Sequence, residues 1–257
     1  MLSIIVPVLN EAGTIKILLD HLITHCNPAN ISEIIMVDGG SEDDTIEQVA
    51  YAANRYTDVA IRVISSAKGR AKQMNAGAAI AVGNVLYFLH ADSFPPAYFD
   101  RFIVETVKND NSAGCFCMRF DSKHWWLRLV SWFTQFDWRA CRGGDQSLFI
   151  TKVLFEEIGG YDETYIIYED NILIDELYAR NTFTVIPHWL TTSARLYERK
   201  GVWHVQYHFL KIYFKKWQGA DANELYAYYN AQIRQNGKPE DQKSARTTKP
   251  ITEHSRY

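Results

Sequence analysis

Short apolar segments alternate with helix-like segments over the first ninety residues, and this alternation limits the possible fold more than any other feature. The apolar runs lie at residues 2–8, 31–37, 59–64 and 85–89. The first two runs, rich in Ile and Val, are typical of strands buried on both faces of a parallel sheet, and the other two runs are also predicted to be strands. Helical spacing fills the intervals at residues 11–25, 42–55 and 69–82. The pattern predicts an α/β fold with a mostly parallel sheet flanked by helices.

After residue 90 the alternation gives way to a mixed pattern. Helices are predicted at residues 96–108, 125–138, 169–180, 203–217 and 222–233, and strands at 114–120, 146–150, 183–186 and 193–197, the last two at a sheet edge. We expect one domain over residues 1–234, with a first half at 1–93, a mixed second half at 94–200 and C-terminal helices at 201–234. Residues 235–257 are polar with almost no apolar anchor, which predicts a disordered tail.

Composition and charge exclude several classes of protein. Apolar residues make up 47% of the chain and charged residues 22%, which is ordinary for a soluble globular protein. The net charge of −3 provides no basic field for nucleic acid. The apolar start lacks a basic flank, so it indicates a strand rather than a signal peptide, and no run is long enough for a transmembrane helix. Four cysteines without zinc spacing indicate reduced thiols in a cytoplasmic protein.

Polar groups, glycines or both follow each of the four predicted strands. After the first strand they are Pro7, Asn10 and Glu11, and after the second strand they are Asp38, Gly39, Gly40 and Ser41. After the third strand they are Gly69 and Arg70, which open the third helix, and after the fourth strand they are His90, Ala91 and Asp92. Turn geometry alone explains Asp and Gly in any one such loop. The carboxyl ends of parallel strands meet at one edge, however, so four such loops favour a ligand site there. Ser41 and Asp44 also predict a helix capping box.

The order and spacing of these loops resemble those of family 2 glycosyltransferases. Residues 3–11, 37–45, 69–77 and 88–92 are similar to the family's opening strand, its second and third nucleotide-site loops and its metal-binding Asp-x-Asp position. Residues 143–146 and 168–170 resemble its acceptor-side segment and catalytic Glu-Asp pair, and residues 192–201 resemble one bacterial branch. The resemblance implies a GT-A-like fold, in which residues 1–93 form the nucleotide-binding half and residues 94–200 the acceptor half.

The resemblance also implies a site for a UDP- or GDP-linked sugar. The expected nucleotide-binding residues are Pro7, Asn10, Glu11, Asp38, Gly39, Gly69, Arg70, Asn75 and Ala91. A carboxylate at Asp38 can accept the imide N–H of a uracil ring, and Gly39 lets the backbone approach the nucleoside closely. Arg195 and Arg199 are the expected diphosphate ligands, because guanidinium groups bind phosphate well.

A Mg²⁺ or Mn²⁺ cofactor is implied at the fourth loop. The expected ligand is Asp92, since these cations prefer oxygen, and the metal would act as a Lewis acid for the departing nucleotide diphosphate. His90 stands where the family has its first Asp. Three roles stay open for His90: a metal ligand, a group that orients Asp92, or a packing residue. Gly39 also replaces a common second Asp of its loop, which weakens any prediction of base specificity.

Transfer with inversion of configuration needs a general base that removes the proton of the acceptor hydroxyl. The Glu-Asp match makes Asp170 the expected base. The residues expected at the donor or acceptor sugar are Gly144, Asp145, Gln146 and Glu169. The alternative is that the two acidic residues only favour the start of a helix.

Two aromatic segments, residues 125–138 and 203–217, admit three interpretations. They can form core, stack on an acceptor sugar, or form an interfacial helix at the inner face of a membrane, because Trp with Lys suits the headgroup boundary. A lipid-linked acceptor would fit the third interpretation.

Two other functions also stay open: a non-catalytic sugar-nucleotide-binding protein, and a sugar-nucleotide pyrophosphorylase. The second is disfavoured because residues 7–11 lack the expected Gly-rich basic loop.

Overall fold

The computed structural model describes residues 1–143 and 146–234. Its strands are β1 (Leu2–Val8), β2 (Ile31–Asp38), β3 (Ile61–Ser65), β4 (Val85–Phe88), β5 (Ser93–Phe94), β6 (Ala113–Phe120), β7 (Leu148–Thr151) and β8 (Phe183–Thr192). Its helices are α1 (Ala12–His25), α2 (Thr45–Arg55), α3 (Arg70–Ile80), α4 (Phe99–Lys108), α5 (Trp125–Phe133), α6 (Lys152–Ile158), α7 (Glu169–Ala179), α8 (Arg195–Lys200), α9 (Val202–Trp217) and α10 (Ala222–Tyr229). The strands form one sheet in the order β3-β2-β1-β4-β7-β6-β8-β5.

The first four strands are parallel, as the sequence predicts. β1 pairs with β2 and β4, and β2 pairs with β3. Every residue of β1 is buried because helices cover both faces of the sheet. Ile4 packs in the core on one face, and Ile5 packs on the other face with residues of α3. A Cβ on Gly77 of α3 would lie 2.5 Å from Ile5 Cγ2, so only glycine allows this close approach.

The second half of the sheet is mixed. β7 is antiparallel to β4 and β6, whereas β6 and β8 are parallel and β5 closes antiparallel onto β8. At the C-terminus, α9, α10 and residues 230–234 share a small core around Ile212, Leu225 and Ile233. Tyr165 and Tyr168, in the loop before α7, pack against this core. The C-terminal helices therefore support the loop that leads into α7.

Local predictions differ from the structure at three places. The capping box is wrong, because Ser41 donates its hydroxyl hydrogen bond to the carboxylate of Asp38, and α2 begins at Thr45 without a side-chain cap. The predicted strand at 193–197 is wrong, since the sheet ends at Thr192, which pairs with the short strand β5, and the chain then turns into α8. The aromatic helix α5 ends at Phe133, five residues earlier than predicted.

Two further structural features bear on the sequence predictions: helix α6, and the length and apolarity of the helices. Helix α6 follows β7 directly and was not predicted, because its seven residues make only about two turns, which is too short to reveal a helical period. Among residues 1–143 and 146–234, no helix combines the length and apolarity that crossing a bilayer requires. The expected disordered tail, residues 235–257, lies outside the described residues.

Candidate active site

The loops after β1 and β2 are joined by hydrogen bonds. The backbone N–H of Asn10 donates to Ser41 Oγ over 3.0 Å, and Asn10 Oδ1 accepts from the N–H of Glu42 over 2.8 Å. The backbone N–H of Glu11 donates to Thr45 Oγ1 over 2.8 Å. Pro7 is buried at the end of β1, opposite Val37 of β2. These contacts make one continuous edge from two loops that are distant in sequence.

Asp38 shapes the turn that follows β2. Its carboxylate accepts hydrogen bonds from the N–H of Gly40 at 3.0 Å, from the N–H of Ser41 at 3.0 Å and from the Ser41 hydroxyl at 2.6 Å. Gly40 has a φ of +92°, a conformation that favours glycine. The carboxylate predicted to recognise the nucleobase thus also holds its own loop in place.

Gln73 is a site residue that the sequence analysis did not single out. Its buried side-chain amide donates to the carbonyls of Val8 at 2.9 Å and Val37 at 2.7 Å, and so ties the ends of β1 and β2 together. A Cβ at Gly39 would lie 3.0 Å from this amide. Glycine at position 39 therefore leaves room for Gln73. The available sequence signal was a polar residue on the buried side of α3.

Arg70 connects the start of α3 with the start of α7. Its Nε lies 2.6 Å from Glu169 Oε1, and its Nη2 lies 3.8 Å from Asp170 Oδ2. Its Nη1 lies 3.5 Å from His90 Nδ1. Gly69, with a φ of +139°, precedes Arg70 at the N-cap of α3. The structure thus brings four of the predicted site residues into one cluster and directs the charge of Arg70 at the acidic pair.

Glu169 is fully buried in this cluster. Burial raises the pKa of its carboxyl to about 7, although the nearby Arg70 guanidinium lowers the pKa, and the charge of Asp170 raises it further. A carboxyl with this pKa binds a proton in a large fraction of molecules near neutral pH. Asp170 is next to it and mostly buried. The two adjacent acidic residues therefore have different environments.

A small cleft, with room for about one water molecule, lies beside the acidic pair. Asp170, His90 and Tyr161 line it together with apolar side chains such as Phe88 and Ile174. The hydroxyl of Tyr161 is buried and has no hydrogen-bond partner among the described residues, and its ring packs edge-on against Phe88 with centroids 5.0 Å apart. Sequence analysis missed Tyr161, whose only local signal is its position after two glycines. Tyr161 and Asp170 therefore line the same space.

Residues 143–146 border this pocket only in part within the described chain. Gly143 lines the pocket, whereas Gly144 and Asp145 lie outside the described residues. The buried side chain of Gln146 donates to the carbonyl of Cys141 over 2.8 Å. This contact holds Gln146 against the turn at Cys141.

Asn75 contacts a different part of the chain from the other predicted nucleotide residues. Its amide donates to the carbonyl of Tyr161 and to Glu163, both over 2.9 Å, and its Oδ1 accepts from the N–H of Tyr161 over 2.9 Å. These bonds fix the loop that carries Tyr161. The arrangement indicates that Asn75 positions the Tyr161 loop.

A second cluster joins the loops after β1 and β4 to α8. Arg195 Nη2 lies 3.0 Å from Asp92 Oδ2 and 3.3 Å from Glu11 Oε2. The backbone N–H of Ser193 donates to the carbonyl of Asp92, which brings α8 to the loop after β4. Arg199 is exposed one helical turn beyond Arg195, on the same side of α8. The Arg195 guanidinium therefore joins α8 to the loop that contains buried Ala91 and half-buried Asp92.

The Asp92 carboxylate at this loop could bind a divalent cation together with the phosphates of a substrate. Within the described ranges there is no group of three or more His, Cys, Asp or Glu side chains able to hold an ion. Mg²⁺ is commonly bound by one or two carboxylates together with substrate phosphates, and the Asp92 side chain is 30% exposed. His90 Nδ1 faces Arg70 instead, so His90 belongs to the cluster around the acidic pair.

Known proteins share both the sequence pattern and the fold. The profile of the family Glycosyl transferase family 2 matches residues 3–176, more than half of the chain. The probable glycosyltransferase YdaM of Bacillus subtilis is 25% identical over 180 residues, which is 63% of this chain and 43% of that protein. A PGL/p-HBAD biosynthesis glycosyltransferase of Mycobacterium tuberculosis is 29% identical over 175 residues, 66% of each protein. The chain spans less than two thirds of both relatives.

Solved structures confirm the GT-A-like fold. The mannosyltransferase PcManGT from Pyrobaculum calidifontis, in complex with GDP-Man and Mn²⁺, has a TM-score of 0.64 and 18% identity, with 91% of this chain and 68% of that chain covered. A fragment of S. aureus TarS in complex with UDP has a TM-score of 0.60 and 16% identity, with 75% and 60% covered. Since the profile spans β1 to α7 in the order of the loops described above, the chain belongs to Glycosyl transferase family 2.

Proposed function

We propose that this chain is an inverting glycosyltransferase that moves a sugar from a nucleotide-diphosphate sugar to a hydroxyl acceptor. One observation carries the proposal. Asp170 and His90 line the same pocket, and two residues after His90 the carboxylate of Asp92 meets Arg195. A candidate base and a candidate phosphate-binding cluster thus flank one short loop. Membership of the family supports the reaction class.

The reaction assigned to this site is a single displacement. Asp170 takes the proton of the acceptor hydroxyl while that oxygen attacks the anomeric carbon of the donor sugar, and the bond from this carbon to the diphosphate oxygen breaks. The product is a glycoside with inverted configuration, and the nucleotide diphosphate leaves with the electron pair. Arg70, 3.8 Å from Asp170, and buried Glu169 hold the base at the pocket wall.

The departing diphosphate gains negative charge, and α8 offers positive charge. We assign to Arg195 and Arg199 charge-assisted hydrogen bonds to phosphate oxygens, which would oppose that negative charge. Asp92, with the phosphates of the substrate, would hold a Mg²⁺ or Mn²⁺ ion that acts as a Lewis acid for the leaving group.

A UDP- or GDP-linked sugar is the donor class that the relatives support. TarS is described in complex with UDP and UDP-GlcNAc, and PcManGT with GDP-Man and Mn²⁺. In this chain Asp38 stands at the end of β2, where its carboxylate would accept a hydrogen bond from a nucleobase, while Gly39 beside it leaves room for the Gln73 amide.

A non-catalytic sugar-nucleotide-binding protein is the second candidate. The observation that favours it is His90, which replaces a carboxylate and faces Arg70 rather than Asp92. Such a protein would bind the donor without consuming it. Hydrolysis or transfer of the sugar therefore separates the two candidates.

A thermal-shift panel with nucleotide diphosphates and sugar nucleotides, each with Mn²⁺, Mg²⁺ or EDTA, tests the proposal. Ligands that bind only the native state raise the melting temperature with the logarithm of their concentration over Kd. We expect a metal-dependent shift with UDP- or GDP-linked compounds in the wild type, and we expect Asp92→Asn to lose the difference between metal and EDTA. Glu105→Gln, on the exposed side of α4, is the matched control.

Transfer is then followed with the donor that gives the largest shift. Release of nucleotide diphosphate that is lost in Asp170→Asn would establish catalysis. Shifts of the melting temperature without any release of nucleotide diphosphate, even in the presence of hydroxyl acceptors, would favour the non-catalytic binding protein. No shift with any compound would contradict both candidates.

A further inference from the structure

An apolar stripe runs along the outward face of α9. Trp203, Tyr207, Leu210, Phe214 and Trp217 follow one another at intervals of four and three residues, and they are 49–81% exposed. The opposite face of the helix is buried through Val205 and Ile212. The outward face of a water-exposed helix is normally polar, whereas the outward face of α9 carries two Trp side chains, one Phe side chain and no carboxylate. Such a face requires a partner.

Helix α5 extends the same surface. Trp125, Leu129 and Trp132 lie on one side of this helix at intervals of four and three residues, and they are 38–61% exposed. The rings of Trp125 and Trp203 are 5.8 Å apart between centroids, so the stripes of α5 and α9 meet. We call the two outward stripes together the aromatic face.

The chain around the aromatic face is strongly basic. The two helices α5 and α9 contain four Lys and Arg residues and no Asp or Glu, although the whole protein has a net charge of −3. Arg128 on α5 and Lys211 on α9 are exposed beside the stripes. Basic charge and exposed aromatic rings are therefore concentrated in one region of an otherwise acidic protein.

We propose that the aromatic face docks on a lipid bilayer that contains anionic lipids, with α9 lying in the plane of the interface. Trp and Tyr side chains favour the headgroup boundary, and Lys or Arg beside them are attracted to anionic lipid. A second copy of the chain is a poorer occupant. A symmetric contact would bring two equally basic surfaces together, and their charges would repel each other.

The docked face would adjoin the acceptor side of the site. Tyr213, on the flank of α9, packs against Tyr168 with ring centroids 5.3 Å apart, and its hydroxyl lies 3.4 Å from Asn171 Oδ1. Tyr168 directly precedes the acidic pair of α7. If the proposed function holds, an acceptor with a lipid anchor would reach the pocket from the membrane surface; docking itself does not depend on that function.

Vesicle flotation of the full chain without any sugar nucleotide tests the docking. The probes are vesicles of phosphatidylcholine alone and of phosphatidylcholine mixed with phosphatidylglycerol. We expect the wild type to float with the anionic vesicles and to bind less as salt is added, since salt screens the attraction. Phe214→Ser with Trp217→Ser should lower the partition coefficient about tenfold or more, because two large apolar side chains no longer enter the interface.

Two further variants make the test specific. Tyr51→Ser is the matched control, because Tyr51 is 56% exposed on α2, outside the aromatic face. It should float like the wild type. Arg128→Glu with Lys211→Glu should weaken flotation with anionic vesicles and remove most of its salt dependence. Circular dichroism melts identical to the wild type would show that each variant is folded.

Two results would overturn the proposal. One is a wild type that does not float with anionic vesicles. The other is a folded Phe214→Ser/Trp217→Ser variant that floats as well as the wild type. A wild-type dimer that this double variant dissociates, together with an absence of flotation, would assign the aromatic face to a second copy of the chain.

Discussion

Arg195 Nη2 lies 3.0 Å from Asp92 Oδ2, although 103 residues separate the two in the chain. The same nitrogen lies 3.3 Å from Glu11 Oε2, so one guanidinium joins two carboxylates from different loops. A nucleotide diphosphate and a divalent cation would both interact with these groups. Under the proposed function, the pair would couple the charge of the protein to the charges of the metal and the substrate.

Arg195→Ala should weaken the binding of a nucleotide diphosphate about tenfold or more, because one charge-assisted contact is lost. It should also strengthen the binding of Mn²⁺ in the absence of nucleotide, since Asp92 and Glu11 lose their competing cation. Isothermal titration calorimetry measures the first effect, and the electron paramagnetic resonance signal of free Mn²⁺ measures the second. Arg101→Ala, which breaks an exposed ion pair on α4, should change neither. Weaker binding of both ligands would contradict this description of the pair.

Asp170→Asn should lower kcat by about 10²–10⁴-fold while the Kd of the donor stays within about twofold, because the amide keeps the shape of the side chain but cannot accept the proton. The measurement is release of nucleotide diphosphate under saturating donor, together with titration of donor binding. Asp175→Asn is the matched control, since Asp175 lies on the same helix and pairs with Arg139 at the surface. Normal turnover in Asp170→Asn would exclude this residue as the base.

The raised pKa of Glu169 predicts a pH dependence of stability. Below about pH 4.5 the carboxyl is protonated in both the folded and the unfolded chain, so its burial has no electrostatic cost. As the pH rises from 4.5 to about 7, the unfolded chain loses the proton first, and the free energy of unfolding falls by an amount on the order of 3 kcal/mol. Above about pH 7 this contribution no longer changes.

Glu169→Gln should remove that dependence. Urea unfolding of both proteins from pH 4.5 to pH 8 should show the variant gaining stability relative to the wild type as the pH rises. Glu176→Gln, on an exposed position of the same helix, should follow the wild type. Parallel stability curves for Glu169→Gln and the wild type would mean that Glu169 is not preferentially protonated in the folded state.

Gln73→Leu should destabilise the fold by about 1–3 kcal/mol, because the carbonyls of Val8 and Val37 each lose a buried hydrogen bond while the side-chain volume is nearly kept. Urea unfolding measures the loss. Gln135→Leu, which removes a donor to a carbonyl at an exposed position, is expected to cost less than about 0.5 kcal/mol. Equal effects of the two substitutions would show that the Gln73 bonds contribute little.

Local pattern was sufficient to predict the first half of the fold. Strands covered by helices on both faces must be continuously apolar, as in β1, so the run of residues reveals them without knowledge of their partners. The same reasoning was insufficient at residues 193–197. There the strand β8 ends at Thr192, opposite Ser93, the first residue of β5, and a pairing between distant segments decides that the next residues form a helix.

In the candidate site, too, some features follow from local sequence and others depend on packing between distant segments. Sequence alone determined which loops follow the strands and which residue types they carry, because a parallel sheet brings those loops to one edge whatever the details. Only the tertiary structure decided that Arg70 turns toward Glu169, that Asn75 holds the Tyr161 loop, and that α9 exposes its aromatic side. Ion pairs, buried amides and the outward face of a helix depend on packing between segments far apart in the chain, and no local spacing encodes that packing.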